Sequence, residues 1–379
     1  MTAGRRRIVA LADWLPPDFG AVGQYALLEA RRAAAEGADV TLFGLSSTAS
    51  SEAMESLGDG RLRILRVRRP LYDRARFGRR ALWTLATDLA LVRRAWRFLR
   101  RADEVRFTGS PPLLIHFLVP ANRLLGRRLV YRIADFHPEC LIAELGRTPL
   151  ALRLLLARTR RLRRRVDRFE VLGECQRRRL VESGVAAERI ALVPLASPVV
   201  IDAGTAPLPR PESLAGRVVL LYSGNFGVAH DDATFVEGYR RHHAEGSGRV
   251  ALWLNATGAK ADRVEARLRE LGLPVHRSRP VPLAELARLL VTPDAHLVTL
   301  RDAFVGYVLP SKVWGCLESG KPILYVGSAA SDVHRLCAAR EGAERYQRAE
   351  VGDPAGVAAA LEAIAAPGSG GWRPPRRRV

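Results

Sequence analysis

Short apolar runs recur along the chain and alternate with longer stretches whose apolar residues return every three or four positions. Ile8 to Ala12, Asp39 to Gly44, Glu104 to Thr108, Arg128 to Ile133, Phe169 to Leu172 and Ile190 to Val193 read as strands buried on both faces. Helical periodicity fills the gaps: Gln24 to Glu36, closed by Gly37, then a stripe of Leu82, Leu85, Leu89, Val92, Trp96 and Leu99, then Leu150 to Arg165. The leucine stripe is expected to face the core. Val199 to Gly216 is rich in Pro, Gly and Ala and has no period, which marks a linker.

Beyond it the pattern restarts. Val218 to Tyr222, Val250 to Asn255, a short run at Val275, Ala295 to Thr299 and Ile323 to Val326 read as strands. Helices are expected from His230, over Ala261 to Leu271 and over Leu283 to Leu290. A short helix over Lys312 to Ser319 has Ser311 placed to cap it, Gly320 to end it and Pro322 to stop it. Strand, glycine loop and helix thus occur in two halves. The expected class is α/β, with two Rossmann-like doubly wound domains facing a cleft. Their bounds are 1–198 and 217–366, joined by the linker 199–216 and followed by a basic, disordered tail, 367–379.

Composition agrees with a globular chain: 379 residues, 48% hydrophobic. Lys plus Arg exceeds Asp plus Glu by 60 − 39 = 21, and lysine occurs only at 260, 312 and 321. A charge this basic favours an anionic partner: nucleic acid, a phospholipid surface or a phosphorylated substrate. The arginines concentrate in Arg61–Arg101 and Arg153–Arg165, which with Trp83 and Trp96 could rest on anionic headgroups; the alternative is a solvated face. No zinc finger or helix-turn-helix spacing accompanies them, so nucleic acid is not expected.

Cys140, Cys175, Cys316 and Cys337 show no CxxC spacing and read as buried thiols of a cytoplasmic protein. The run after Arg5-Arg-Arg7 is too short for a signal peptide, and no 18-residue apolar run exists. Peripheral attachment at the inner face of the cell membrane is consistent with this.

The candidate chemistry lies where strands end. Gly20 and Gly23 follow the first strand, and Asp135, His137 and Glu139 follow Ile133, where open α/β sheets bind ligands. For His137 the alternative is a structural histidine. In the second half, Gly224, Asn225 and Gly227 can offer bare amides. Gly258 with Lys260, and Pro310, Ser311 and Lys312 at a helix start, suit phosphate. There is no GxxxxGK[ST], no GxGxxG followed by an acid, no GxSxG and no Asp-x-Asp, so no metal site is expected.

These residues resemble a family. Phe19-Gly-Ala-Val-Gly-Gln-Tyr25, Gly109-Ser-Pro-Pro112, Asp135-Phe-His-Pro-Glu139, Ser223-Gly-Asn-Phe-Gly227 and Pro310-Ser-Lys with Gly320-Lys-Pro322 are, in this order, similar to GT-B glycosyltransferases of the retaining GT4 class. The likeness is strongest to bacterial transferases of surface-polysaccharide and secondary-metabolite pathways. It implies transfer of a hexosyl or N-acetylhexosaminyl group from a nucleoside diphosphate sugar, UDP-sugar favoured, without metal or other cofactor. The second domain would bind the donor, and the first a small-molecule or lipid-linked acceptor, with Asp135 and His137 catalytic.

The chain departs from the family at Gly315, where the class has a ribose-binding glutamate; Asp302 or Glu318 is left to replace it. Alternative readings are another nucleotide-sugar enzyme of the same fold, such as an epimerase, or a basic nucleic-acid-binding protein.

Overall fold

The computed structural model describes residues 5–18, 20–70, 77–340 and 345–366, the side chains of residues 21, 77 and 80 excepted. The expected tail 367–379 lies outside them. The chain divides into two compact units after Pro194. Each is an α/β unit built on a largely parallel sheet.

The first unit runs β1 (Arg7–Trp14), α1 (Ala21–Ala35), β2 (Asp39–Ser46), β3 (Ser51–Leu57), β4 (Gly60–Arg68), α2 (Phe77–Leu99), β5 (Glu104–Thr108) and α3 (Ile115–Leu125). It continues through β6 (Arg128–Ile133), α4 (Glu139–Leu145), α5 (Leu150–Arg163), β7 (Arg168–Val171), α6 (Glu174–Glu182) and β8 (Ile190–Leu192). The strand order is β3-β4-β2-β1-β5-β6-β7-β8, with only β3 antiparallel. Ile8, Val40, Leu42, Leu62 and Ile64 pack against Leu27, Ala30 and Ala34 of α1.

The second unit runs β9 (Val218–Asn225), α7 (Ala233–Glu245), β10 (Val250–Thr257), α8 (Ala259–Glu270), β11 (Val275–Ser278) and α9 (Leu283–Val291). Then come β12 (Ala295–Thr299), α10 (Lys312–Glu318), β13 (Ile323–Val326), α11 (Asp332–Ala338), β14 (Tyr346–Ala349) and α12 (Pro354–Ala365). Its order is β11-β10-β9-β12-β13-β14. In both sheets the order reverses beside the first strand, at β1/β5 and at β9/β12. Crevices that open at the carboxyl ends of such strand pairs are where doubly wound sheets take ligands.

One hairpin was not anticipated, and two expectations need correction. The hairpin β3–β4 carries no readable signal, because Ser51–Leu57 is an edge strand exposed along most of its length and need not alternate. Val199 to Gly216 is not a free connector: Ile201, Leu208 and Leu214 pack into the clusters of the second unit.

The largest correction concerns α2. Val92 and Leu99 of the expected stripe are buried, but the leucines at 82, 85 and 89 face outward, and the buried side of the helix start is made by Thr84, Thr87 and Asp88 with Leu91 and Ala95 beyond. Spacing alone finds a stripe but not which stripe faces the sheet.

Candidate functional site

In the second unit β9 ends in Ser223-Gly-Asn225, paired in register with the end of β10, Ala256 to Gly224 and Thr257 to Asn225. The Phe226 amide then donates to the Thr257 carbonyl at 2.8 Å, which pins the loop. Gly258 has φ of +105°, and a Cβ there would meet Asn225 Oδ1 at 2.8 Å, so the two loops touch through a residue that has to be glycine. Tyr222 and Phe226 stack with centroids 4.2 Å apart, forming a floor against which His230 stands edge-on. The His230 Nδ1–H donates to the Thr299 carbonyl at 2.6 Å. Burial, with Lys312 nearby, holds its pKa well below the ordinary histidine value, so the ring is neutral and its second nitrogen can accept.

Lys312 opens α10 and lies on this floor, its Nζ 3.3 Å from the Tyr222 centroid. The amino group is buried and has no hydrogen-bond partner. Burial drives its pKa well below the ordinary lysine value. Trp314 Nε1 of α10 and Thr299 Oγ1 at the end of β12 are likewise buried without partners. An unpartnered buried amine on an aromatic floor makes Lys312 the candidate ligand group of this unit.

Lys260 differs. Its Nζ is shared between the His230 carbonyl at 2.6 Å and Asp232 at 2.7 Å, so it braces the start of α7 rather than reaching forward. Ser311 makes no side-chain cap bond, contrary to expectation; its backbone is already helical, which turns the hydroxyl away from the first amides. Asp302 is exposed in a one-turn helix after β12, and Glu318 sits half-buried at the far end of α10. At Gly315 a Cβ would stand 3.0 Å from Leu290 Cδ1, so the position that holds a glutamate in the resembling family faces α9 here.

In the first unit the reversal point carries carboxylates. Asp13 ends β1 and accepts the Ser110 hydroxyl at 2.7 Å through Oδ2, while its Oδ1 is buried and unpartnered. Burial raises the Asp13 pKa to about 7, and the neighbouring charge of Asp135 adds to the rise. Burial likewise raises Asp135 to about 6. Near neutral pH the pair therefore holds both a proton and a negative charge, a combination suited to gripping and deprotonating a hydroxyl. Gly23 lets α1 begin hard against this strand end, since a Cβ there would fall 1.8 Å from the Trp14 carbonyl, and Gly20 lies beside it.

His137 is half-buried, with its carbonyl accepting from Arg163 at 3.0 Å. Glu139 is spent: both its oxygens bind the guanidinium of Arg163, a side chain wholly out of water that also lies over the Phe136 ring. Sequence reasoning passed over Asp13, Ser110, Tyr222, His230 and Trp314. Asp13 had a readable signal, an acid directly after a buried strand; the others emerge only from packing.

Residues 20–196 match the glycosyl transferase 4-like domain. The putative colanic acid biosynthesis glycosyl transferase WcaI of Escherichia coli is 27% identical over 256 residues, covering 63% of this chain and 61% of that protein. The chain thus spans about three-fifths of the length of that curated relative. Among solved structures, sucrose-phosphate synthase of Thermosynechococcus elongatus superposes with a TM-score of 0.67 at 13% identity over 95% of this chain and 90% of that one. WaaG, a glycosyltransferase involved in lipopolysaccharide biosynthesis, does so with a TM-score of 0.61 at 16% identity, over 94% and 90%. The chain has the two-domain α/β fold of GT-B glycosyltransferases, as its motifs implied.

Proposed function

We propose that this chain, whose first unit matches the glycosyl transferase 4-like domain and whose fold is GT-B, is a glycosyltransferase of a bacterial surface-glycan pathway. Its donor is a nucleoside diphosphate sugar, UDP-sugar favoured, and the transferred group a hexosyl or N-acetylhexosaminyl residue. The observation that carries this is the buried, partnerless amine of Lys312 on the Tyr222 ring, beside the β9 glycine loop. A diphosphate supplies the negative charge that Lys312 lacks, and the Gly224 to Gly227 loop and Trp314 Nε1 supply neutral donors. As the sugar leaves, charge develops on that diphosphate, and groups already desolvated stabilise it without reorganising.

The first unit takes the acceptor. Asp13 and Asp135, one protonated and one ionised, bind an acceptor hydroxyl and take its proton, with His137 as a neighbouring polar group. The reaction is proposed to retain configuration and to need no resident metal, in line with the absence of Asp-x-Asp from the sequence. The acceptor is a glycan intermediate, lipid-linked or free.

A thermal-shift panel of UDP, GDP and dTDP and their sugars tests the donor half. Binding at a hundredfold excess over Kd stabilises by about 2.7 kcal/mol, a plain rise in Tm. The rise is expected with one base preferred and to shrink markedly in Lys312→Ala. If no nucleotide shifts the melt at millimolar concentration, the reading fails.

A further inference from the structure

The outward side of α2 is not what a unit free in water would choose. Leu82, Leu85 and Leu89 are 69%, 41% and 44% exposed, while Thr84, Thr87 and Asp88 from the same turns are buried. Asp88 is shut away completely; one oxygen accepts the Leu113 amide at 3.1 Å and the other has no partner, nor has Thr87 Oγ1. Burial holds its carboxyl well above the usual range. In these turns the helix buries polar groups and leaves three leucines in water, against both the hydrophobic effect and the cost of burying polar groups. The observed orientation leaves an apolar stripe that nothing in the described residues covers.

The same side continues into exposed Arg93, Arg94, Arg97 and Arg100. Asp88 is the only acid in α2, so the outward side carries no negative charge, and Arg93, Arg94 and Arg97 meet no carboxylate among the described residues. α3 lies between α2 and α5. On α5, Leu150 and Leu154 are 68% and 63% exposed, with Arg153 and Arg161 beside them. Trp83, by contrast, does not belong to this surface: it stacks on Trp14 and donates to the Pro70 carbonyl at 2.9 Å.

We propose that this face of the first unit docks on an anionic phospholipid bilayer. α2 lies in the interfacial plane, with Leu82, Leu85 and Leu89 below the headgroups and its arginines among the phosphates. Charge selects this occupant. A second copy docked symmetrically would bring the same unpaired arginines against each other, whereas a phospholipid surface offers negative charge around an apolar layer. The surface stands apart from the transfer reaction and can be true or false without it.

The test is cosedimentation of the full chain with phosphatidylcholine vesicles, with and without phosphatidylglycerol. Binding is expected only with the anionic lipid, and to weaken severalfold as salt screens the arginines. Replacing the three leucines together (Leu82→Ser, Leu85→Ser, Leu89→Ser) is expected to cut affinity by about tenfold or more, the apolar insertion being lost. Arg93→Gln with Arg97→Gln is expected to cut it by about fivefold per arginine. All five side chains face solvent, so both variants are expected to melt as the parent does, and each checks the other. Failure of the parent to bind anionic vesicles overturns the proposal. So does binding that survives both sets of substitutions, or a concentration-dependent dimer, abolished by the leucine set, in a chain that ignores lipid.

Discussion

Arg163 and Lys312 are both basic side chains removed from water at the edge of a candidate site, and the protein treats them in opposite ways. Arg163 in the first unit is met by both oxygens of Glu139, by the His137 carbonyl and by the face of Phe136. Lys312 in the second has only the Tyr222 ring beneath it and no hydrogen bond. A buried charge is tolerable when paired and costly when not. The first has its charge paired, with only Nε left without a partner, and holds the backbone after β6 in place. The second is incomplete, which is what makes it the candidate for pairing with a ligand. Burial and residue type are alike; the partner count separates scaffold from seat.

The contrast breaks most visibly at the pair. Arg163→Met strands a buried carboxylate, and Glu139→Gln takes the counter-charge from a buried guanidinium. Either is expected to lower stability by about 3–5 kcal/mol in urea unfolding. Although burial works to raise its pKa, the charge of Arg163 prevails and lowers that of Glu139, which gives the sign with pH. The stabilisation is present above the ordinary glutamate pKa and disappears as pH falls through the lowered one. Removing either partner should therefore flatten the acid limb of the stability profile.

Asp13 bears the opposite sign. Its pKa is raised to about 7, so the folded chain holds a proton that the unfolded chain releases near pH 4. Stability tied to that proton is full below pH ~4 and is lost as pH rises to ~7. Asp13→Asn should remove the loss, on the order of 4 kcal/mol between those limits, and raise Tm at pH 8 relative to the parent. Turnover should drop at the same time, since the amide cannot take a proton. A parent whose Tm does not fall from pH 5 to pH 8 would contradict the buried carboxylate pair.

Lys312→Met inverts the result expected of Arg163→Met. Removing an unpaired buried amine leaves no stranded partner, so the ligand-free chain should melt no lower than the parent. Nucleoside diphosphate affinity, however, should fall about 10–100-fold, the loss of about 1.5–3 kcal/mol for a hydrogen bond to a charged group. Because burial depresses the lysine pKa in the empty site, a bound diphosphate restores the ammonium, and binding takes up protons. Affinity is expected to weaken as pH rises, which calorimetry in two buffers of different ionisation enthalpy would read directly.

How far the sequence reveals all this depends on the scale of each feature. The α/β class, most strands and the places where glycine loops leave the sheets follow from local periodicity and turn chemistry, and were legible. Lys312 was singled out from Pro310-Ser-Lys alone, though for its place at a helix start; its solitude on Tyr222 is a property of packing. Lys260 and Glu139 looked like ligand groups and are tied to Asp232 and Arg163, partners 28 and 24 residues away that no local pattern joins. The orientation of α2 was misread for a related reason. The two faces of that helix compete on hydrophobicity, and the buried Asp88 is met by the amide of Leu113, a partner 25 residues away that spacing along α2 does not show.

The smallest effect is expected at Gly315, and it tests where the seat of Lys312 ends. In Gly315→Ala the new Cβ meets Leu290 Cδ1 at 3.0 Å, tight but against the end of a flexible side chain. Against this, alanine in a helix interior gains about 0.8–1 kcal/mol over glycine. The two contributions oppose, so stability should stay within about 1 kcal/mol of the parent. Nucleotide affinity should not change, because the side chain points at α9 rather than toward Lys312. If Gly315→Ala alters nucleoside diphosphate affinity while the melt stays put, position 315 faces the donor after all. The boundary between scaffold and seat on α10 would then lie one turn further along the helix.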